Sequence, residues 1–380
     1  MQIGPDAVVS AEPVDPAAPG AGVEILSRGD VALGTSSYVS AGASDGSERN
    51  MGGEIVLLSY GSLLLGEHAF IDGGMATGAR VWVEGDITLS QFSFIYGGYS
   101  IETTDAAFGP TTTDIRAGGD IVLGARAMIG GDTTTCLVRA GGTFEVQTSA
   151  EVIVNTAALT EETRRAPTAL TVEAAEVLIQ PNGYINGGWE PWSTGVAPLV
   201  MRTTGPFVVE GTVQGIGTGC GPAGSIVLET ESDLGFGAEG RVQLAESRSR
   251  GPCEIPASNG TATLRAGGSV TAGERDTTAV VAASGGRDPL PLVTVEEGAA
   301  VAVAPIDLGF SGTDRVVSAT LSVSTGGAPV ESVQVATSAG STLIPALTFA
   351  HSPSASFVDT LTGTALVDGW RYTLDLPWRL

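Results

Sequence analysis

Few residues in this chain could do chemistry. Its two histidines, His68 and His351, lie far apart, and its three cysteines, Cys136, Cys220 and Cys253, form no CxxC pair. Zinc-ligand spacing is therefore missing. Enzymes that cleave polysaccharides work with carboxylates beside a proton-abstracting base, or with paired aspartates set apart for inverting hydrolysis. The strings NTD, DD, GHG and RIK, which would mark such sites, do not occur. The string Gly215-Ile216-Gly217-Thr218-Gly219 loosely resembles a phosphate cradle but leads into no helix. No catalytic set emerges, and no cofactor beyond a calcium ion has residues to hold it. What remains is a set of binding candidates, whose meaning depends on the elements that position them.

Those elements come from one repeated unit. A small residue opens each turn: Gly29, Gly61, Gly85, Gly119, Gly142, Ala175, Gly205, Ser232 and Gly268. Apolar residues follow this origin at two and four positions, as in Val31 and Leu33, Ile87 and Leu89, or Ile121 and Leu123. Others precede it by four, from Ile25 and Leu57 to Thr171 in the sixth unit, or follow it by ten, as Val39, Ile71 and Ile95 do. The seventh and ninth units break that last column. Period-two alternation marks strands with one buried face. Each unit of roughly 23 residues thus supplies three short strands, within the range of solenoid coils. Glycine at the origin is expected to provide a positive φ at the corner. Inserts fall after the third strand, near residues 43–52, 99–112, 155–168, 187–197, 217–223, 246–260 and 284–291, and should line one edge of the stack. The fold class expected is all-β: a three-faced, right-handed parallel β-helix of about ten coils over residues 23–303. An irregular segment, 1–22, precedes it. A small C-terminal β-sandwich or capping module, 304–380, follows, with five alternating strands between Val317 and Leu376.

The segments GDVALG, GDITLS and GDIVLG, with the corners IDGG, IYGG, IGGD and INGG, resemble the pectin-lyase-like superfamily of parallel β-helices. Within it, the glycine-rich haemagglutinin and adhesin-type surface proteins of bacteria are most similar. The resemblance covers about 280 residues and implies architecture; it transfers no catalytic residue.

On this frame the binding candidates acquire positions. Asp86 and Asp120 follow the origin on adjacent coils, where two stacked carboxylates could share Ca²⁺ or bond to local N–H groups of the turn. Trp189, Glu190 and Trp192 sit in one insert; a tryptophan pair can stack on a sugar ring or fold onto the solenoid flank. Cys220 and Cys253 lie in successive inserts, and stacked loops would let them form a disulfide, which implies an oxidising compartment. Cys136 falls in a core column, and His68 beside a column of small residues should face solvent. A formal charge of −24, with 18 basic residues that are all arginine, disfavours nucleic acid and anionic membranes. No apolar run is long enough to span a membrane. The expected function is a secreted or surface-displayed structural or adhesive protein that meets a polysaccharide or cell-surface glycan through its loop edge. The alternative is a carbohydrate-active β-helix: a lyase, a hydrolase or a tail-spike-like polysaccharide binder.

Overall fold

The computed structural model describes residues 1–10, 22–41, 53–73, 78–97, 112–131, 135–154, 169–187, 189–190, 198–215, 217–218, 224–244, 260–283 and 292–301, and the strands of a C-terminal module. The chain divides into two compact units, Met1–Leu308 and Gly309–Leu380.

The first unit is a parallel β-helix. Coil 1 consists of Val23–Ser27, Val31–Leu33 and Tyr38–Ser40; coil 4 of Thr112–Ala117, Ile121–Leu123 and Met128–Gly131; coil 8 of Ile226–Thr230, Leu234–Phe236 and Arg241–Leu244. Each strand pairs in parallel with the same strand of the next coil, so that Val31, Leu63, Ile87, Ile121 and Phe144 meet in register. Three ladders result, and the first runs on to Leu292–Glu297 in coil 10. In coils 5 and 6 the first two strands fuse through the corner as Thr135–Val146 and Ala169–Ile179, which joins their ladders into one sheet. The N-terminal segment is not wholly irregular. Gln2–Ile3 pairs with Val31–Leu33, and Val8–Ser10 pairs with Tyr38–Ser40, adding a partial coil ahead of coil 1.

Inward positions form continuous apolar columns, most of them fully buried, from Val31 and Leu33 to Val242 and Leu244. Three irregularities in the sequence columns have local causes. In coil 6 the inward residue is Val172, not Thr171, because the corner there is one residue shorter and shifts the register between Ala140 and Thr143. In coil 7 the second corner is shorter, and Val213 takes the inward third-strand position. In coil 9 a 3₁₀ turn, Thr277–Val280, capped by Asp276, delays that strand until Val281.

The origin glycines do not take positive φ; among the described glycines only Gly130, Gly131, Gly273 and Gly298 do. Their small size serves a different purpose. Asp86 Oδ1 accepts the Asp120 N–H at 2.9 Å, and a Cβ on Gly119 would lie 2.0 Å from that same oxygen. Gly142 stands equally close to Asp120 Oδ1, at 2.1 Å, and Gly268 to Asp233 Oδ1, at 2.2 Å. The glycine leaves room for the preceding coil's carboxylate to reach the next amide. Left-handed φ values occur instead seven residues after the origin, at Ser36, His68, Phe92, Arg126, Ser149 and Asn182, all between 55° and 62°. Such residues are costly singly. Bonds to the next coil, such as Ser36 N–H to the Glu67 carbonyl at 2.8 Å, help hold them there.

The second unit is antiparallel. Ser318–Thr320, Ser332–Thr337 and Gly340–Pro345 form one three-stranded sheet, and Ala350–Ser352, Val358–Val367 and Trp370–Arg379 form another. Among the described residues six strands stand where the alternation pattern suggested five, because the segment near His351 forms a strand of its own.

The corner geometry predicts a contrast within one column. Gly119→Ala should destabilise the chain by about 1–3 kcal/mol through overpacking. Gly29→Ala, where a Cβ would meet nothing within 4 Å, should stay within about 0.5 kcal/mol of the parent. Urea unfolding of the two variants checks this; equal losses would remove the steric explanation.

Candidate functional site

Side chains pointing away from the core meet their own counterparts on neighbouring coils, and three outer columns matter. At the first corner, the residue after each origin links successive coils. Asp30 Oδ1 accepts the Ser62 N–H at 2.9 Å, Ser62 Oγ accepts the Asp86 N–H at 3.0 Å, and Asp120 Oδ1 accepts the Thr143 N–H at 2.7 Å. The run is traced as far as Thr143, and Pro206, two coils on, has no N–H to donate and no side-chain acceptor. It resumes where Asp233 accepts from both the N–H and the hydroxyl of Ser269. The structure therefore brings Asp86 and Asp120 to successive levels, as expected for a calcium pair, but directs one oxygen of each to the next backbone amide. Among the described residues no three His, Cys, Asp or Glu side chains group as a metal site.

On the outer face of the first sheet, coils 5 to 10 carry an unbroken row of alternating charge. Arg139 Nε lies 2.8 Å from Glu173, Arg202 Nε 2.8 Å from Glu229, and Arg265 bridges Glu229 at 2.5 Å and Glu296 at 2.7 Å. Arg202 Nη1 also approaches Glu173 at 3.8 Å. Two acceptors thus flank Arg265, and its guanidinium is held above the usual arginine range, mainly by the hydrogen bond to Glu296. Toward the N-terminus the row gives way to Trp82, with the guanidinium of Arg116 over its ring at 4.5 Å and that of Arg80 at 5.1 Å.

On the third face, coils 1 to 3 bear an aromatic row. Tyr38 meets Phe70 edge to face at 6.1 Å, Phe70 stacks on Phe94 at 5.0 Å, and Phe94 on Tyr96 at 5.6 Å. Tyr38 donates its hydroxyl to Asp72 at 2.9 Å, and burial leads the causes that push the phenol up to about 12. At the adjoining corner His68, which is exposed, stacks on Phe92 at 5.0 Å, and Arg126 lies over the same ring. Stacking from coil to coil turns ring faces toward each other and leaves edges to the solvent. The row is therefore cohesive first, and offers a ligand mainly apolar edges.

The inserts leave from the far margin of this third face. Trp189–Glu190, just beyond the third strand of coil 6, pairs in parallel with Gly217–Thr218, just beyond that of coil 7. Coil-to-coil stacking thus continues outside the core at this edge. Of the Gly215–Gly219 string, Gly217–Thr218 belongs to this extra ladder, and Gly215 donates its N–H to the Gln243 carbonyl at 3.0 Å. Trp192, Cys220 and Cys253 lie outside the described residues. Cys136 is fully buried and unpaired, and burial, with the nearby Asp114 charge, raises its thiol to about 12. A thiol so placed stays protonated and does no nucleophilic chemistry.

The charged and aromatic rows are absent from the sequence reading, although both have a sequence signal. The charged row lies three residues before the origin, at Arg116, Arg139, Arg202, Glu229 and Arg265, and slips by one at Glu173 because of the short corner. The aromatic row lies nine residues after it, at Tyr38, Phe70 and Phe94.

The chain matches no protein-family model, no curated protein and no solved structure.

The corner ladder has a pH signature. The Ser269 N–H, and after it the Ser269 hydroxyl, hold the Asp233 carboxyl below the usual carboxylate range. A depressed native value means that the bond contributes fully above the unfolded-state pKa and is lost as pH falls through the folded one. Asp233→Asn should therefore be less stable than the parent at neutral pH and draw level with it in acid. Urea unfolding from pH 7 to pH 2 measures the gap; a gap of constant size would contradict the assignment.

Proposed function

We propose that this chain is a secreted or surface-displayed structural and adhesive protein that holds a glycan at the insert edge of its β-helix, without chemistry. The observation that carries this reading is the pairing of Trp189–Glu190 with Gly217–Thr218, which aligns successive inserts at one margin of a rigid scaffold. Loops presented in a row on a stiff frame suit repeated weak contacts, which multiply in avidity when geometry allows them to engage together. The acidic charge suits a neutral glycan better than a polyanion. The outer polar side chains of the described coils support the same reading, because most of those named above bond to their neighbours and serve cohesion. The likeness of the repeat to adhesin-type β-helices of the pectin-lyase-like superfamily points the same way.

Retention on a panel of immobilised neutral and acidic polysaccharides, with reducing ends and unsaturated products assayed in parallel, tests the proposal. We expect retention on at least one neutral polysaccharide, a loss of about tenfold or more in Trp189→Ala/Trp192→Ala, and no cleavage products. Release of reducing ends or unsaturated sugars would establish the carbohydrate-active alternative, and unchanged retention in the tryptophan variant would remove the insert edge as the site.

A further inference from the structure

We propose that the outer face of the first sheet in coils 5 to 10 is a self-complementary docking surface whose partner is a second copy of this chain. Two columns run along this face. One is the alternating row Arg139, Glu173, Arg202, Glu229, Arg265, Glu296. The other, two residues earlier on each strand, is uncharged: Leu137, Thr171, Val200, Val227, Thr263, Thr294.

An alternating row with an even number of members reads as its own opposite when reversed. A twofold axis parallel to the strands, passing between the levels of Arg202 and Glu229, turns one copy over and reverses its coil order. Arg202 then faces the partner's Glu229, Glu173 faces the partner's Arg265, and Arg139 faces the partner's Glu296. The same axis places Val200 against the partner's Val227 and Thr171 against the partner's Thr263. Every cation meets an anion, and the centre of the contact is apolar, Val227 being half-buried and Val200 8% exposed in the single chain.

Relief supports the match at the inner levels. The Arg202 and Arg265 side chains are 36% and 33% exposed, whereas those of Glu173 and Glu229 are 10% exposed, so raised guanidinium groups on one copy would come over recessed carboxylates on the other. At the outer pair the relief is reversed, with Arg139 24% and Glu296 41% exposed. Charge argues for this face in particular. Two copies of a −24 chain repel over most of their surface, but this row sums to zero, and at physiological salt the rest is screened beyond about 8 Å.

Area sets the strength. Six strands at ~4.8 Å, each about 16 Å long, offer roughly 450 Å² per copy, against about 800 Å² per partner in a standard stable interface. The dimer should therefore be weak and dependent on concentration.

Sedimentation equilibrium of the full chain at physiological salt, from ~10 μM to ~1 mM, tests this. The weight-average mass should rise from monomer toward dimer over that range. Thr171→Glu/Thr263→Glu sets like charges opposite each other twice and should weaken the dimer at least ~10-fold. Thr171→Glu/Thr263→Arg sets opposite charges there and should restore association to within about threefold of the parent. Both positions are outward and half-buried, and a circular dichroism spectrum equal to the parent's is the check on folding. A parent that stays monomeric throughout overturns the proposal without reference to either variant. Equal dimerisation in all three proteins, or failure of the Glu/Arg variant to recover, also overturns it, because the contact would then lie elsewhere.

Discussion

Backbone pairing between successive coils is the constraint from which the rest of the helical unit follows. Parallel ladders place the same position of each coil beside itself every ~4.8 Å. A column is therefore stable only if its members tolerate one another at that distance. Inside, apolar residues do so by close packing, and the fully buried columns reflect it. Outside, like charges at such spacing would repel, and the chain meets the problem in three ways. It alternates Arg and Glu in coils 5 to 10 of the first face, hands carboxylates to the next amide at the corner, and places uncharged aromatic rings on the third face.

The same constraint explains where glycine is required. At Gly119, Gly142 and Gly268 the neighbour that forbids a Cβ is the aspartate side chain of the preceding coil. Glycine and aspartate are thus two halves of one contact, repeated along the stack. The strained left-handed residues sit at the other corner, where His68, Phe92 and Arg126 carry side chains that stack outward and a glycine would contribute none. Steric room and backbone strain, which glycine often serves together, are here divided between two corners.

Cohesion and recognition are likewise divided. Residues on the outer columns are largely engaged with their own neighbours, and the proposed glycan contact falls instead at the edge, where inserts vary in length. In coils 5 to 10 the first face differs from the others because the charges of one row cancel in a sequence that is its own mirror in sign. That property arises from alternation over an even number of coils, and no single residue holds it.

The sequence by itself determined the three-strand coil, its inward columns, the position of the inserts and the buried place of Cys136, because alternation and burial are local properties repeated many times. It also marked the all-β character of the C-terminal segment. Only the tertiary structure decided what adjacent coils do to one another. Asp86 reaches an amide 34 residues away, Glu173 lies between arginines of two other coils, and Val172 replaces Thr171 because a corner lost one residue. Those outcomes depend on register between coils separated by inserts of unequal length. A spacing pattern along one chain contains no measure of that register until the strands are laid side by side.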